Sequence, residues 1–376
     1  MIKGKLSYLN RLNSKYSFRY SMDAQQVSGA SPPSIFIGRK GYPKVYVGPL
    51  VPAVHGDTST MDTPERWQGK TAEDVIDFRL QLVRGKQLVG IRDLDKTQLV
   101  RDIALAKDPV SMDVEFENKP RGIFFHEDMQ PFGPSGQIKT VEASVGKYDQ
   151  RMEKAYYDTD LLAKDAVTTL YEKGVLISSL QKAFSTGAFG MDRKLVPTRW
   201  SITAVDDTLG KYLLDDIRSY PILDMYQVYE FGAMNNYFVV LLMPTLWQYE
   251  SIEAFMKIFG NEEVVFSDWE PHEGKKEYAT IGGCYYSGRL AIAEKLKEMK
   301  VQAGAIIFRE AYTGYIPLGV WLVRENMRQA MKTKPEEFCD MNSALTHISL
   351  KLRLPFQRYR QISILLKQRK ISDFLK

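Results

Sequence analysis

The stretch SDWEPHE alternates acidic and imidazole side chains in a way that could hold a metal ion. On a β-strand Asp268, Glu270 and His272 would share one face, because successive side chains point to opposite faces. Such ligands can hold a metal that assists phosphodiester hydrolysis. Loose patterns of this kind often arise by chance, so we favour a polar strand end that enters a loop. We expect that Asp268→Ala removes no metal-dependent nuclease activity, and we predict no metal site.

Two adjacent acids in AVDDTL, Asp206 and Asp207, could in principle pair for metal-dependent phosphodiester chemistry. Neighbours on a helix point about 100° apart, which argues against one shared site. The favoured interpretation is a charge complement to a helix N-terminus. No catalytic residue is assigned.

Cations stand beside glycines and aromatic residues in GRKGYPKVYVG. Exposed backbone N–H groups together with Arg39, Lys40 and Lys44 could hold a phosphate of DNA, and Arg199 in VPTRW is a further candidate. A plain hairpin also explains Gly and Pro at this spacing. Elsewhere, Arg and Glu lie next to large apolar residues and could form buried ion pairs. The residues concerned are Arg199, Arg309, Glu310, Arg324 and Glu325.

The end of the sequence concentrates positive charge. Residues 350–376 carry eight Lys or Arg and one acid, Asp373, for a net charge of +7, whereas the whole chain carries +5. A localised basic stretch is typical of proteins that meet nucleic acid or an acidic protein surface. Lys367, Arg369 and Lys370 are candidate phosphate or DNA contacts.

The last nine residues, QRKISDFLK, contain a specific pattern of anchors. Gln368, Ile371, Phe374 and Leu375 fit Q-x-x-(I/L/M)-x-x-aromatic-(aromatic/Leu). One tight turn would bring the three apolar side chains to one side as a plug for a partner's groove, with Gln368 in a polar pocket. The alternative is a helix that docks its apolar face on the folded body. The pattern favours a tether that binds a partner.

The composition predicts a folded protein without a membrane span. The 376 residues are 44% hydrophobic, enough for a large core. The longest apolar run, YFVVLLMP, is too short to cross a bilayer. No apolar signal region stands at the start, and the two cysteines are isolated, which fits a reducing cytoplasm. We therefore expect a cytoplasmic protein without a membrane partner.

Strand and helix patterns are mixed without strict alternation, which predicts an α+β fold, or α/β with irregular order. Hairpins are predicted at 34–48 and 225–243, strands at 110–117, 263–270 and 301–310, and helices at 71–85, 158–174, 200–217, 284–300 and 318–332. Residues 118–140 are predicted to form a long loop. The predicted domains are 1–220, 221–345 and a basic tail at 346–376.

The anchor pattern resembles the peptide by which replication and repair proteins bind the sliding clamp, PCNA. The stretches SPPSIFIGRKGYPKVYVGPLVP, LVPTRWSITAVDD, GGCYYSGRLAIAEKL and PLGVWLVREN resemble the archaeal Nre family of DNA repair proteins, the NreA type in particular. The resemblance covers most of the chain from about residue 31. It implies a cytosolic protein that binds the clamp and acts in repair of damaged DNA.

The resemblance brings no agreed catalytic mechanism. Many family members carry a Cys-rich, zinc-binding segment before the SPP stretch, and this sequence begins without one, so neither zinc nor another cofactor is expected. Two classes stay open: an adaptor or DNA-binding repair factor recruited to the clamp, and a metal-dependent nuclease or other enzyme that acts on DNA or nucleotides. The lack of familiar catalytic motifs favours the first class, with weak binding to DNA of any sequence.

Overall fold

A computed structural model describes residues 4–17, 20, 23–126 and 129–368. By its internal contacts the chain forms two compact units. We call residues 9–209 with 317–319 the N-terminal unit, and residues 1–8, 210–316 and 320–376, as far as they are described, the C-terminal unit. Within these described ranges each unit contains a six-stranded sheet with helices packed on it, which confirms the predicted α+β class.

The elements of the N-terminal unit are the strands β1 (Gln26–Ser31), β2 (Ile35–Ile37), β3 (Lys44–Val51), β4 (Val83–Gly90), β5 (Val110–Phe116) and β6 (Ser135–Ser144), and the helices α1 (Lys5–Ser17), α2 (Ala72–Leu80), α3 (Gln98–Leu105), α4 (Gln150–Tyr157), α5 (Ala163–Glu172), α6 (Ile177–Ser185) and α7 (Thr198–Ile217). The division between the units falls within α1 and α7. The sheet order is β1-β5-β6-β4-β3-β2, and only the β4–β6 pair is parallel among its described strands.

One face of this sheet is the main core of the N-terminal unit. Buried valines and isoleucines of β2, β3 and β4 pack with Val100 and Ile103 of α3. The opposite face is only partly covered. Leu50, Met61, Leu82 and Phe132 form a smaller buried cluster there, with Phe36 against it.

The elements of the C-terminal unit are the strands β7 (Tyr226–Ala233), β8 (Asn236–Met243), β9 (Gln248–Phe255), β10 (Val264–Glu270), β11 (Gly304–Ala311) and β12 (Glu336–Phe338), and the helices α8 (Gly283–Met299), α9 (Trp321–Ala330), α10 (Met341–Lys351) and α11 (Phe356–Ile362). The sheet order is β10-β9-β11-β8-β7-β12, with β9 and β11 parallel. Helices α8 and α9 contact each other and the sheet. Helices α10 and α11 pack on the sheet in an apolar cluster that includes Val239, Ile306 and Phe308. None of the helices in the described ranges has the length and apolarity that a bilayer crossing needs.

Several predicted elements are confirmed. The hairpin of β7 and β8 turns at Met234 and Asn235, whose φ angles are 50° and 56°, as a tight hairpin turn requires. The hairpin of β2 and β3 and the strand β5 are present, as are α5, α7, α8 and α9 within a few residues of their predicted bounds. Helix α2 begins where it was predicted, and Thr71 and Asp74 form a capping box at its start.

Two expectations about local structure are wrong. Helix α2 ends at Leu80, and Gly85 lies inside β4, where the chain pairs with β3. The predicted loop 118–140 ends early because β6 begins at Ser135. The polar start of the sequence forms helix α1 and strand β1, which were not predicted.

The folded part of the C-terminal unit continues well beyond residue 346, where the basic tail was predicted to begin. Leu352, Leu354, Tyr359 and Leu365 are all buried in the same apolar cluster. A short 3-10 turn at Leu365–Lys367 closes this region. Most cations of the basic stretch therefore lie on a folded segment.

Candidate nucleic-acid interface

The turn between β2 and β3 presents the predicted phosphate contacts to solvent. Arg39, Lys40 and Lys44 are all exposed. The turn is fixed by Gly41, whose φ of +84° favours glycine, and by the Lys44 amide, which donates to the Gly41 carbonyl at 2.9 Å. A fixed turn holds the three cations close together without acidic residues between them in the sequence.

The start of helix α7 lies against this turn. The Ile37 amide donates to the Thr198 hydroxyl at 3.0 Å, and the rings of Tyr42 and Trp200 are 5.3 Å apart between centroids. Both rings are 45% exposed, which is unusual for large aromatic residues. Arg199 stands between Thr198 and Trp200 in the first turn of α7 and is partly exposed, but neighbours on a helix point about 100° apart, so its position in the sequence does not place its side chain beside Arg39, Lys40 and Lys44.

The surface continues along the partly covered face of the sheet. Tyr46 of β3 pairs with Leu88 of β4, and both side chains are exposed, at 41% and 50%. Lys86 lies two residues from Leu88 and therefore on the same face of β4. We call this surface the basic-aromatic face; it consists of Arg39, Lys40, Tyr42, Lys44, Tyr46, Lys86, Leu88 and Trp200.

Proteins that bind single-stranded nucleic acid typically combine cationic side chains with exposed aromatic rings. Lys and Arg attract the phosphates, and aromatic rings stack on unpaired bases regardless of sequence. The cations were found from the sequence, but the Tyr42–Trp200 pair was not. A Tyr and a Trp separated by more than 150 residues are brought together only by the packing of α7 on the turn.

The acidic residues Asp268 and Glu270 of SDWEPHE form hydrogen bonds and ion pairs within the C-terminal unit. Asp268 accepts from the Lys275 ammonium at 2.6 Å and from the Thr280 amide at 2.5 Å. Burial raises the pKa of Asp268, but these hydrogen bonds outweigh it and hold the pKa below its ordinary value. Strand β10 ends at Glu270 and His272 follows in a turn, as the favoured interpretation predicted.

Glu270 has a structural role in the core. Its carboxylate accepts from Arg289 at 2.9 Å and from the Trp247 indole at 3.1 Å, and both charged side chains are almost fully buried. Within the described residues, no group of three or more His, Cys, Asp or Glu side chains could hold a metal ion.

The prediction that Asp206 and Asp207 complement a helix N-terminus is wrong. Helix α7 begins at Thr198, so both acids lie in its third turn, too far from the end to interact with its dipole. Asp206 is fully buried and accepts from the Gln181 side chain at 2.9 Å. It links α7 to α6.

Two of the arginines that the sequence suggested as members of buried ion pairs do form them. Arg309 is buried and donates to Glu253 at 2.5 Å, and Arg324 donates to Glu325 at 3.3 Å. Glu310 differs, because the donors to it are neutral. They are the amides of Arg353 (3.0 Å) and Leu354 (2.7 Å) and the hydroxyls of Tyr359 (2.8 Å) and Tyr312 (2.6 Å).

A second buried carboxylate holds the next part of the same segment. Glu250 accepts from the Ser363 hydroxyl at 2.6 Å and from the amides of Ile364 (2.9 Å) and Leu365 (3.0 Å). Glu310 and Glu250 thus fix residues 353–365 to the sheet of the C-terminal unit. The sequence did not predict that Glu250 and Glu310 hold this segment, because a glutamate in a strand is usually a surface residue.

The predicted clamp anchors lie at the edge of the described residues or beyond it. Lys367 and Gln368 are exposed and directly follow the segment that Glu250 holds. Ile371, Phe374 and Leu375 lie outside the described residues, as do Arg369 and Lys370. Their role in binding a partner stays a prediction.

Comparison with known proteins identifies the family. The profile described as "Archaeal Nre, N-terminal" matches residues 3–259, and "Archaeal Nre, C-terminal" matches residues 270–375. The chain therefore belongs to the archaeal Nre family. No solved structure is significantly similar to it.

Three relatives match over most of their length. A DNA repair protein NreB of Archaeoglobus fulgidus is 40% identical over 361 residues, which cover 93% of this chain and 92% of the relative. A DNA repair protein NreA of the same organism is 37% identical, over 85% of this chain and 83% of the relative. A DNA repair protein NreA of Haloferax volcanii is 32% identical, over 84% and 80%. Both named types are represented, so the NreA type stays a prediction.

Proposed function

We propose that this protein acts in DNA repair, binds single-stranded DNA on the basic-aromatic face and is recruited to a sliding clamp by residues 368–375. The observation that carries the role in repair is the 40% identity over 93% of the chain to a protein named as a DNA repair protein. We also propose that the protein is of the NreA type. The support for clamp recruitment is the anchor pattern of Gln368, Ile371, Phe374 and Leu375 in the sequence.

The choice of single-stranded DNA rests on the exposed rings. In a duplex the bases stack on each other and offer no free faces, whereas an unpaired strand can place bases on Tyr42 and Trp200. The cations of the adjacent turn, Arg39, Lys40 and Lys44, lie where the phosphates of such a strand would pass. No sequence preference is expected, because stacking and phosphate contacts do not read base edges.

The experiment that tests DNA binding compares two tryptophan variants. Trp200→Ala is expected to weaken binding of a single-stranded oligonucleotide about tenfold, because loss of one stacking contact costs about 1–3 kcal/mol. Trp269→Ala is the matched control, since Trp269 is also partly exposed but belongs to β10 of the C-terminal unit. Fluorescence anisotropy of a labelled oligonucleotide measures both. Equal affinities for the two variants would contradict the assignment of this face.

Salt dependence provides a separate prediction for the cations. With three or four phosphate contacts, single-strand affinity should fall about 20- to 50-fold between 50 and 200 mM salt. Lys40→Gln should make this dependence shallower by about one phosphate contact. Lys139→Gln is the control, because Lys139 is exposed on the same sheet but is paired with Glu115 at 2.7 Å. Tight binding that does not respond to salt would be inconsistent with an electrostatic contact.

A further inference from the structure

Two half-buried cations on strand β4, Arg84 and Lys86, have no counter-ion among the residues that the structure describes. The side chains of Arg84 and Lys86 make no hydrogen bond or ion pair within the described part of the chain, and Arg84 Nε is buried without a partner. Buried charges in proteins are normally paired, because removing an ion from water is costly. The pair therefore needs a reason other than stability of the unliganded fold.

The fold fixes Arg84 in one orientation. Its guanidinium carbon lies 4.5 Å from the centre of the Phe36 ring and 4.8 Å from the centre of the Phe132 ring. Two rings at this distance hold the planar group and restrict its rotation. Phe132 belongs to the small apolar cluster that covers part of this sheet face, so Arg84 lies at the margin of the cover.

Lys86 lies next to Arg84 and nearer the open part of the face. The two side chains alternate with buried Val83 and Gly85, so they project from the same side of β4. Beyond Lys86 on this side comes Leu88, which belongs to the basic-aromatic face. The two cations therefore lie where the covered and open parts of the face meet.

Asp62, a buried acid that contacts the same small cluster of elements, already has cationic partners. Asp62 pairs with Arg79 and lies 3.6 Å from the Lys182 ammonium. Burial, followed by the Arg79 charge, lowers the pKa of Arg84 to about 10, and burial, followed by the Arg84 charge, lowers the pKa of Lys86. Both lowered pKa values mean that the fold disfavours the charged forms of Arg84 and Lys86. A bound anion would therefore relieve the repulsion between the positive charges.

We propose that Arg84 and Lys86 form a phosphate-binding site on β4. The fixed guanidinium can offer two parallel N–H donors to phosphate oxygens, and the lysine adds a mobile point charge beside it. The phosphate has two sources: a backbone phosphate of DNA on the basic-aromatic face, or a free phosphate or nucleotide. Only the first source rests on the proposed DNA binding; the site itself does not.

Methionine variants test the site, because methionine keeps the apolar stem and removes the charge. In calorimetric titrations the wild type is expected to bind inorganic phosphate, a nucleoside triphosphate or a single-stranded oligonucleotide. Arg84→Met should weaken that binding at least tenfold, and Lys86→Met about fivefold. Lys139→Met is the control with the same loss of charge, and its affinity should equal that of the wild type. The melting temperature without ligand shows whether each variant folds. If Arg84→Met does not fold, Lys86→Met still tests the site.

The ligands separate the two sources. If phosphate and nucleotide bind and both methionine variants lose this binding, the site takes a free phosphate, even where wild-type protein binds no DNA. If only the oligonucleotide binds, and Arg84→Met and Trp200→Ala both weaken it, the site holds a backbone phosphate. If none of the three ligands responds to Arg84→Met or Lys86→Met beyond the Lys139→Met control, the proposal is overturned.

Discussion

Replacement of Phe374 by alanine is expected to weaken binding to the sliding clamp by about 30-fold or more, which corresponds to ~2 kcal/mol. Phe374 is the largest apolar anchor in the pattern that also contains Ile371 and Leu375. The wild-type affinity should be in the low micromolar range, about −8 kcal/mol, because a short peptide that orders on binding loses conformational entropy. Calorimetric titration of the clamp measures both values.

Two controls make this result specific. Ser372→Ala changes a position that the pattern leaves free, so its affinity should equal that of the wild type. A variant that ends at Lys367 should lose clamp binding and keep its melting temperature, since Leu365 already completes the described apolar cluster. Equal clamp affinity for the wild type, Phe374→Ala and this shortened variant would refute the tether. A large drop in melting temperature on shortening would instead support a docked helix.

The second large effect concerns Glu310. Glu310→Ala is expected to lower the free energy of unfolding by about 3 kcal/mol or more, because it leaves the buried Leu354 amide and Tyr359 hydroxyl, and the part-buried Arg353 amide, without an acceptor. The loss should fall on the C-terminal unit, where these donors fix the segment that leads to Gln368. Chemical denaturation followed by far-ultraviolet circular dichroism measures it.

Glu336→Ala is the matched control for this prediction. Glu336 is an exposed glutamate on β12 of the same sheet, so its removal should change the free energy of unfolding by less than about 0.5 kcal/mol. If Glu310→Ala and Glu336→Ala are equally stable, the anchoring role of Glu310 is wrong.

The sequence predicted elements whose pattern is local. The hairpin of β7 and β8 is marked by GAMNN between two apolar runs, and the start of α2 by Thr71 and Asp74. In these cases the residues that decide the conformation are neighbours along the chain, so the physics can be read from a short stretch. Charge on the β2–β3 turn was read in the same way.

Strand β9 shows where this reasoning fails. Its sequence, QYESIEAF, contains two glutamates and a serine and looks exposed, yet most of the strand is buried. Glu250 is satisfied by donors of Ser363, Ile364 and Leu365, and Glu253 by Arg309. The partners of these acids lie 50 or more positions away in the sequence, so no local pattern could identify them.

The residues of the candidate site also differ in how far a local pattern could identify them. Arg39, Lys40 and Lys44 could be assigned from one short stretch, whereas the contact of Tyr42 with Trp200 and the lack of an ion-pair partner for Arg84 in the described ranges depend on packing between distant segments. An arginine in LVRGK gives no sign that two phenylalanine rings hold it. The structure therefore adds the aromatic half of the face and the position of the cations relative to it.

We propose that one molecule of this protein holds single-stranded DNA and a sliding clamp at the same time. The most direct test of this proposal is the affinity for a primer–template DNA with a single-stranded template arm, measured with and without a clamp loaded on the duplex. Two linked contacts predict tighter binding to the loaded DNA, by about 100-fold, and Phe374→Ala should remove this gain while leaving affinity for the bare DNA unchanged. Equal affinity of the wild type for loaded and bare DNA would contradict the claim.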